Sequence, residues 1–178
     1  EPKISAREGV EPVNKLAESA VDLITPQLTQ REMTLEQDFS VPGGATVECD
    51  PDLLQIVLVN FLSNAVKYGR KGGLVRFTMK LDDGTWHISV WNEGPGFSKE
   101  ERFKLFHKFS RLDDPELKRQ KGTGVGLYTV WRLVQLHGGR VTANSKHGEW
   151  AEFTVEIPQP LPEVATVHEA PKADPAAT

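Results

Sequence analysis

Asn60-Phe61-Leu62-Ser63-Asn64-Ala65-Val66-Lys67-Tyr68 closes a helix-patterned stretch that opens at Asp50-Pro51 and stops at Gly69. An aspartate ahead of a proline predicts a capped start, because the carboxylate can accept from free amides of the first turn and proline has no amide to lose there. From Leu53 to Val66 the residues are apolar nearly all round, which predicts a buried helix. Asn60, Asn64 and Lys67 interrupt that pattern at spacings of four and three, which align them in one stripe. Buried amides need partners. Two readings of the stripe stay open: asparagines bonded to neighbouring backbone, or a ligand site. For the second, an amide oxygen is a hard donor suited to magnesium when a polyphosphate brings the negative charge, and lysine attracts that polyphosphate.

Working outward, two strands are expected over 74–81 and 85–91, joined by the hairpin signal Asp82-Asp83-Gly84. A loop over 92–97 and a short helix over 99–106 follow. A charged stretch over 110–121 then leads into Gly122-Thr123-Gly124-Val125-Gly126-Leu127. A helix to about Leu136 ends on His137-Gly138-Gly139, and strands over 140–145 and 151–157 pair to close the fold. Upstream, 10–13 reads as an edge strand, and Asn14 as the cap of a helix reaching about Thr29. A strand over 34–39, a turn at Pro42-Gly43-Gly44 and a strand over 46–49 complete the order. Interleaved helices with frequent hairpins imply an α/β fold, a mixed sheet with helices layered on one face. Residues 1–9 read as a linker, 10–158 as the folded domain, and the proline- and alanine-rich 159–178 as a flexible tail.

Composition narrows the class. Of 178 residues, 38% are hydrophobic and 26% charged, which suits a globular domain. A net charge of −4 argues against a nucleic-acid surface. Cys49 is the only cysteine, so an intrachain disulfide and a cysteine-based zinc cluster are excluded. The most apolar run is far shorter than the roughly 20 residues a membrane span needs, and the chain opens on polar sequence. A cytoplasmic location is expected, with any membrane anchor outside this chain.

Gly122, Gly124 and Gly126 precede a helix, so free amides there can face an anion. The spacing is neither that of a P-loop nor that of a dinucleotide fingerprint. Asn92-Glu93-Gly94-Pro95-Gly96 follows a strand, and its glycines allow either a tight turn or close approach to a ligand. Each segment alone also fits a plain loop.

Taken in order, the segments resemble the ATP-binding catalytic domain of sensor histidine kinases, within the GHKL ATPase superfamily. Residues 60–68 resemble the N-box. Asn92-Glu93-Gly94-Pro95-Gly96-Phe97 resembles the first glycine box, Leu105-Phe106-His107-Lys108-Phe109 the F-box, and residues 122–127 the second glycine box. The similarity covers about 10–158. It implies a two-layer Bergerat-type α/β sandwich with a mixed, mostly antiparallel sheet and helices on one face. ATP and magnesium are the implied cofactors, with Asn64 and Asn60 on the metal. Lys67 and Tyr68 are implied to contact phosphates or ribose. Asn92 is implied to stand where the adenine is read, and Gly94, Gly96 and Phe97 of the same box are implied to bind the nucleotide. Lys121, Gly122, Thr123, Gly124, Val125, Gly126 and Leu127 are implied to wrap the phosphates. Residues 110–121 form the lid in such domains, anchored by Phe106 and Phe109.

Three departures from the family pattern stand out. Asn92 replaces an aspartate that accepts a hydrogen bond from the adenine amino group. An amide can accept or donate, so weaker binding and relaxed base selectivity are expected. Gly148-Glu149-Trp150-Ala151 stands where Gly-x-Gly-Ser/Thr is usual. Last, the family's acceptor histidine sits upstream on a helical hairpin, and none of the five histidines here follows the acceptor motif. No catalytic residue is therefore assigned. The implied activity is histidine protein kinase, acting on a histidine outside this chain. The implied partners are the kinase's own dimerisation and phosphoacceptor domain and a response regulator receiver domain, with the fragment itself monomeric. The alternative is a regulatory nucleotide-binding module with weak or no transfer activity.

Overall fold

The computed structural model describes residues 9–39, 45–102 and 125–159. Strand β1 (Gly9–Pro12) runs directly into helix α1 (Val13–Gln30), and β2 (Thr34–Asp38), β3 (Thr46–Cys49) and helix α2 (Pro51–Tyr68) follow. Then come β4 (Leu74–Asp82), β5 (Thr85–Glu93), helix α3 (Val125–Leu136), β6 (Arg140–Lys146) and β7 (Trp150–Pro158). Five strands form one sheet in the order β2-β4-β5-β7-β6, and β1 with β3 makes a separate antiparallel pair. Among the described residues, only the β2–β4 pairing is parallel. The sheet is mixed and mostly antiparallel, as expected.

One face of this sheet is apolar and buried. Val75, Phe77 and Met79 of β4, Trp86, Ile88 and Val90 of β5, and Val155 and Ile157 of β7 all point into the core beneath the helices. Their neighbours at odd offsets (Arg76 and Lys80, His87 and Trp91, Glu152 and Glu156) stay half-buried or exposed on the other face. This alternation is what a sheet covered on one side produces.

The start of α2 follows local chemistry: Asp50 accepts from the amides of Asp52 at 3.1 Å and Leu53 at 3.2 Å, with proline at the first position. Three local expectations need correction. Asn14 does not cap α1; it lies inside the helix, which begins directly from Pro12 while the Val13 amide donates to the Ala45 carbonyl at 3.0 Å. Asn92 and Glu93 are not loop but the end of β5, extended by pairing with Val75 and with Ala151 and Trp150. And α2 is not buried all round: Ile56 is 43% exposed, and Leu53 and Val59 are half-buried. Among the described residues the sheet, α1 and α3 cover only part of the helix, and Ile56 and Lys67 lie outside that cover.

Distant segments are tied by side chains. Fully buried His137 sets its Nδ1 2.8 Å from the Leu133 carbonyl and takes the Asp50 amide on Nε2 at 3.0 Å. Nδ1 therefore carries the proton. The end of α3 is thereby fastened to the start of α2. Gln159 forks onto the Glu48 amide and carbonyl at 2.8 and 2.9 Å, holding the free edge of β3 as another strand would.

Candidate functional site

The end of α2 meets the end of β5, and glycine makes the approach possible. A Cβ on Gly94 would lie 3.1 Å from the Tyr68 carbonyl oxygen, 3.1 Å from Gly69 Cα and 3.2 Å from Asn92 Nδ2. So the first glycine segment abuts the very residues that end the polar stripe. The Glu93 carbonyl closes the junction, accepting from the Arg70 amide at 2.8 Å and from Asn92 Nδ2 at 3.2 Å.

A second clamp holds the same loop from the β6–β7 hairpin. The Gly94 amide donates to the Glu149 carbonyl at 3.1 Å, and the Gly148 amide to the Pro95 carbonyl at 2.7 Å. Ser145 Oγ accepts from the Phe97 amide at 2.9 Å and donates to the Trp150 carbonyl at 2.7 Å. Phe97 then packs against Phe153, with ring centroids 6.0 Å apart. Trp150 thus serves the loop through its backbone. Its side chain lies on the other sheet face beside Trp91, with centroids 6.4 Å apart, away from the face that Asn92 and Ala151 share.

Within the stripe, Asn60 donates to the Ile56 carbonyl at 2.8 Å, so the backbone-bonding reading holds for its nitrogen. Asn64 is half-buried, and its side chain has no partner among the described residues. Lys67 is exposed, with Nζ 5.3 Å from the centroid of the Tyr68 ring, which is itself 41% exposed. Gly94, with Asn92 beside it, therefore abuts the end of α2 where the stripe finishes, whereas Gly96 and Phe97 are held against the β6–β7 hairpin.

Leu127 is buried in the first turn of α3, and Val125 and Gly126 open that helix. Lys121, Gly122, Thr123 and Gly124 lie outside the described residues, as do Phe106, Phe109 and the lid at 110–121. Among the described residues no three His, Cys, Asp or Glu side chains could hold a metal, and no helix is long and apolar enough to cross a membrane.

Arg31 had no local sequence signal. It follows α1, yet its guanidinium donates to the Gly69 carbonyl at 2.6 Å and the Val66 carbonyl at 3.3 Å. It thereby satisfies carbonyls at the end of α2 that have no helical partner, where the helix dipole favours a cation.

A family model described as histidine kinase-, DNA gyrase B-, and HSP90-like ATPase matches residues 49–161. The chain belongs to this family. Within it, this ATPase domain is of the sensor histidine kinase type. It is 38% identical over 134 residues to the sensor histidine kinase WalK of Bacillus subtilis (strain 168), covering 71% of this chain and 22% of that protein. It is 36% identical over 149 residues to the sensor protein GacS of Pseudomonas syringae pv. syringae, covering 82% of this chain and 16% of that one. The chain thus spans about a fifth of the length of such relatives. Among solved structures, full-length ShkA in complex with AMPPNP aligns with TM-score 0.74 at 29% identity, over 93% of this chain and 33% of that one. The nucleotide-free catalytic domain of histidine kinase ThkA aligns with TM-score 0.73 at 22% identity, over 86% and 96%, which shows the shared fold.

Proposed function

We propose that this domain binds ATP with magnesium beside α2 and transfers the γ-phosphoryl group to a histidine on a partner domain outside this chain. One observation supports the reading most: Asn64, one turn before the end of α2, makes no side-chain hydrogen bond among the described residues, and the loop after β5 packs through Gly94 on Tyr68 and Gly69 at that same helix end. Such a site holds a polyphosphate by position and charge rather than by a covalent group of its own, which is what phosphoryl transfer needs. Asn64, assisted by the Asn60 oxygen, would hold magnesium, which neutralises phosphate charge when bound. Lys67 and Tyr68 would meet phosphates or ribose, and residues 121–127 the phosphates. In the transfer, an imidazole nitrogen of the acceptor forms a P–N bond as the P–O bond to ADP breaks, and ADP leaves with that electron pair.

The folded unit is proposed to span 10–158 together with Gly9, which starts β1, and Gln159, which is bonded to Glu48 and Gly84; the rest of 1–9 would be lead-in and the rest of 159–178 tail, acting in the cytoplasm as a monomer. Its partners would be the kinase's own acceptor-bearing dimerisation domain and a response regulator receiver domain. The ThkA structure with response regulator TrrA shows such a pairing for that protein. Because the Trp150 side chain lies on the opposite face, one reason for preferring a mere regulatory module disappears.

The test has two arms. Asn64→Ala should keep a cooperative melt yet lose the magnesium-dependent thermal shift that ATP gives the wild type. Labelled ATP should leave no acid-labile phosphate on the chain alone but should label an added acceptor domain. An unchanged thermal shift in the variant removes Asn64 from the site, and stoichiometric label on any of the chain's own histidines overturns the assignment of the acceptor elsewhere.

A further inference from the structure

Resting on the nucleotide site proposed above, we infer that Arg31 and Glu93 are positioning residues for it. They grip the turn between α2 and β4 from opposite sides and decide where α2 ends. That fixes Asn64 and Lys67 against the first glycine segment.

The grip is an exchange of partners. In a continuing helix the Arg70 amide would donate to the Val66 carbonyl, four positions back. Here the Gly69 amide still donates to the Ala65 carbonyl at 2.9 Å, but the Arg70 amide turns away to the Glu93 carbonyl at 2.8 Å. Arg31 supplies the Val66 carbonyl with another donor. Its Nε lies 3.3 Å from that oxygen, and its Nη2 donates to the Gly69 carbonyl at 2.6 Å. Glu93 thus draws the amide out of the helix, and Arg31 satisfies the carbonyl that the amide leaves behind. With either residue lost, returning the Arg70 amide to Val66 becomes the way to pair both groups, because backbone groups left unpaired are costly.

Each side of the grip is itself anchored. The Glu93 carboxylate accepts from the Leu74 amide at 2.9 Å and from the Arg70 guanidinium at 3.0 Å. The guanidinium pair is exposed and contributes little, whereas the part-buried Leu74 bond ties the end of β5 to the start of β4. On the other side, the Arg31 carbonyl accepts from the Gly72 amide and the Thr34 amide donates to the Gly73 carbonyl, both at 3.0 Å. The turn is wedged between the two. A Cβ on Gly69 would press on the Ala65 carbonyl and lie 2.7 Å from Met33 Cε and 3.2 Å from the Glu93 carbonyl oxygen.

The helix end held in this way carries Lys67 in its last turn, with Asn64 one turn before the end. Arg31 and Glu93 act through that helix end and need not touch the nucleotide. Groups that hold metal ligands in place are worth about 10–100-fold in metal affinity. Asn92 stays with the sheet in any case, through its pairing with Val75 and Ala151. The magnesium-dependent part of ATP binding should therefore depend on this turn more than the rest of it does.

The test is calorimetric titration of ATP into the whole chain, once with magnesium and once with a chelator instead, and a melt of every variant. Wild type should bind ATP more tightly with magnesium. Arg31→Met, which keeps the length but neither donor, and Glu93→Ala should each bind magnesium-ATP about tenfold more weakly, with ATP in chelator changed by less than about twofold. Arg31→Lys, which can still reach one carbonyl, should fall between, at about threefold. A wild-type gain from magnesium in both Arg31→Met and Glu93→Ala, whatever their melts, would overturn this inference and leave the nucleotide site standing. Should either fail to fold, Arg31→Lys and Glu93→Gln, which keeps an acceptor for the Leu74 amide, decide by the same comparison. An equal loss with and without magnesium would overturn it too, because the whole site would then have deformed. A wild type that gains nothing from magnesium, or binds no ATP, would overturn the proposed function itself, and this inference with it.

Discussion

Replacing Gly96 by alanine should separate backbone strain from crowding in the loop beside the site. Gly96 has φ +60°, and an added Cβ would press on Ser145 Oγ, lie 2.5 Å from the Trp150 carbonyl oxygen and 3.1 Å from that of Lys146. Gly148, across the same junction, has φ +88° with nothing within 4 Å of an added Cβ. Gly148→Ala therefore bears strain alone, about 1–2 kcal/mol for a left-handed residue. Gly96→Ala bears that strain plus overpacking of about 1–3 kcal/mol, because its neighbours are backbone carbonyls and a hydroxyl already bonded to Phe97 and Trp150. The sum is about 2–5 kcal/mol. For a chain of this size each kcal/mol shifts the melting temperature by about 3 °C, so the melting temperature of Gly148→Ala should fall by about 3–6 °C and that of Gly96→Ala by about 6–15 °C. Differential scanning calorimetry of both variants and of wild type gives the comparison directly. Equal shifts for the two would mean that the β6–β7 hairpin does not clamp the first glycine segment, and the account of how that segment is held would fall.

Two other perturbations test the frame around the site. His137→Ala should cost about 2–5 kcal/mol in chemical denaturation, from a cavity at a fully buried position and an Asp50 amide left unpaired; a loss under about 1 kcal/mol would mean that the tie between α3 and α2 is idle. Burial lifts the Glu152 carboxyl above its usual 4.5, and Lys80 pulls it back in part. The folded chain therefore holds that proton more tightly than the unfolded chain, so this contribution is complete below pH 4.5 and fades as pH rises through the elevated native value. Glu152→Gln should be more stable than wild type at neutral pH, with the advantage vanishing below pH 4.5 in melts across that range; a variant less stable at neutrality would reverse the sign.

Much of this protein follows from its residues in order. Asp50-Pro51 and Gly69 bound α2 because capping and termination are local chemistry, settled within a turn. Asp82-Asp83-Gly84 joins β4 to β5 because a hairpin turn needs only its own backbone angles. The stripe of Asn60, Asn64 and Lys67 was legible because helical spacing alone aligns it. Tertiary structure decided what depends on partners far along the chain. Asn92 belongs to a strand because Val75 and Ala151 extend the ladder around it. Ile56 stays exposed because the sheet and α1 cover only part of α2. Arg31 reaches carbonyls more than thirty positions away, and His137 an amide farther still. Such contacts depend on which distant backbone groups the fold brings within reach of a side chain, and local spacing does not specify them.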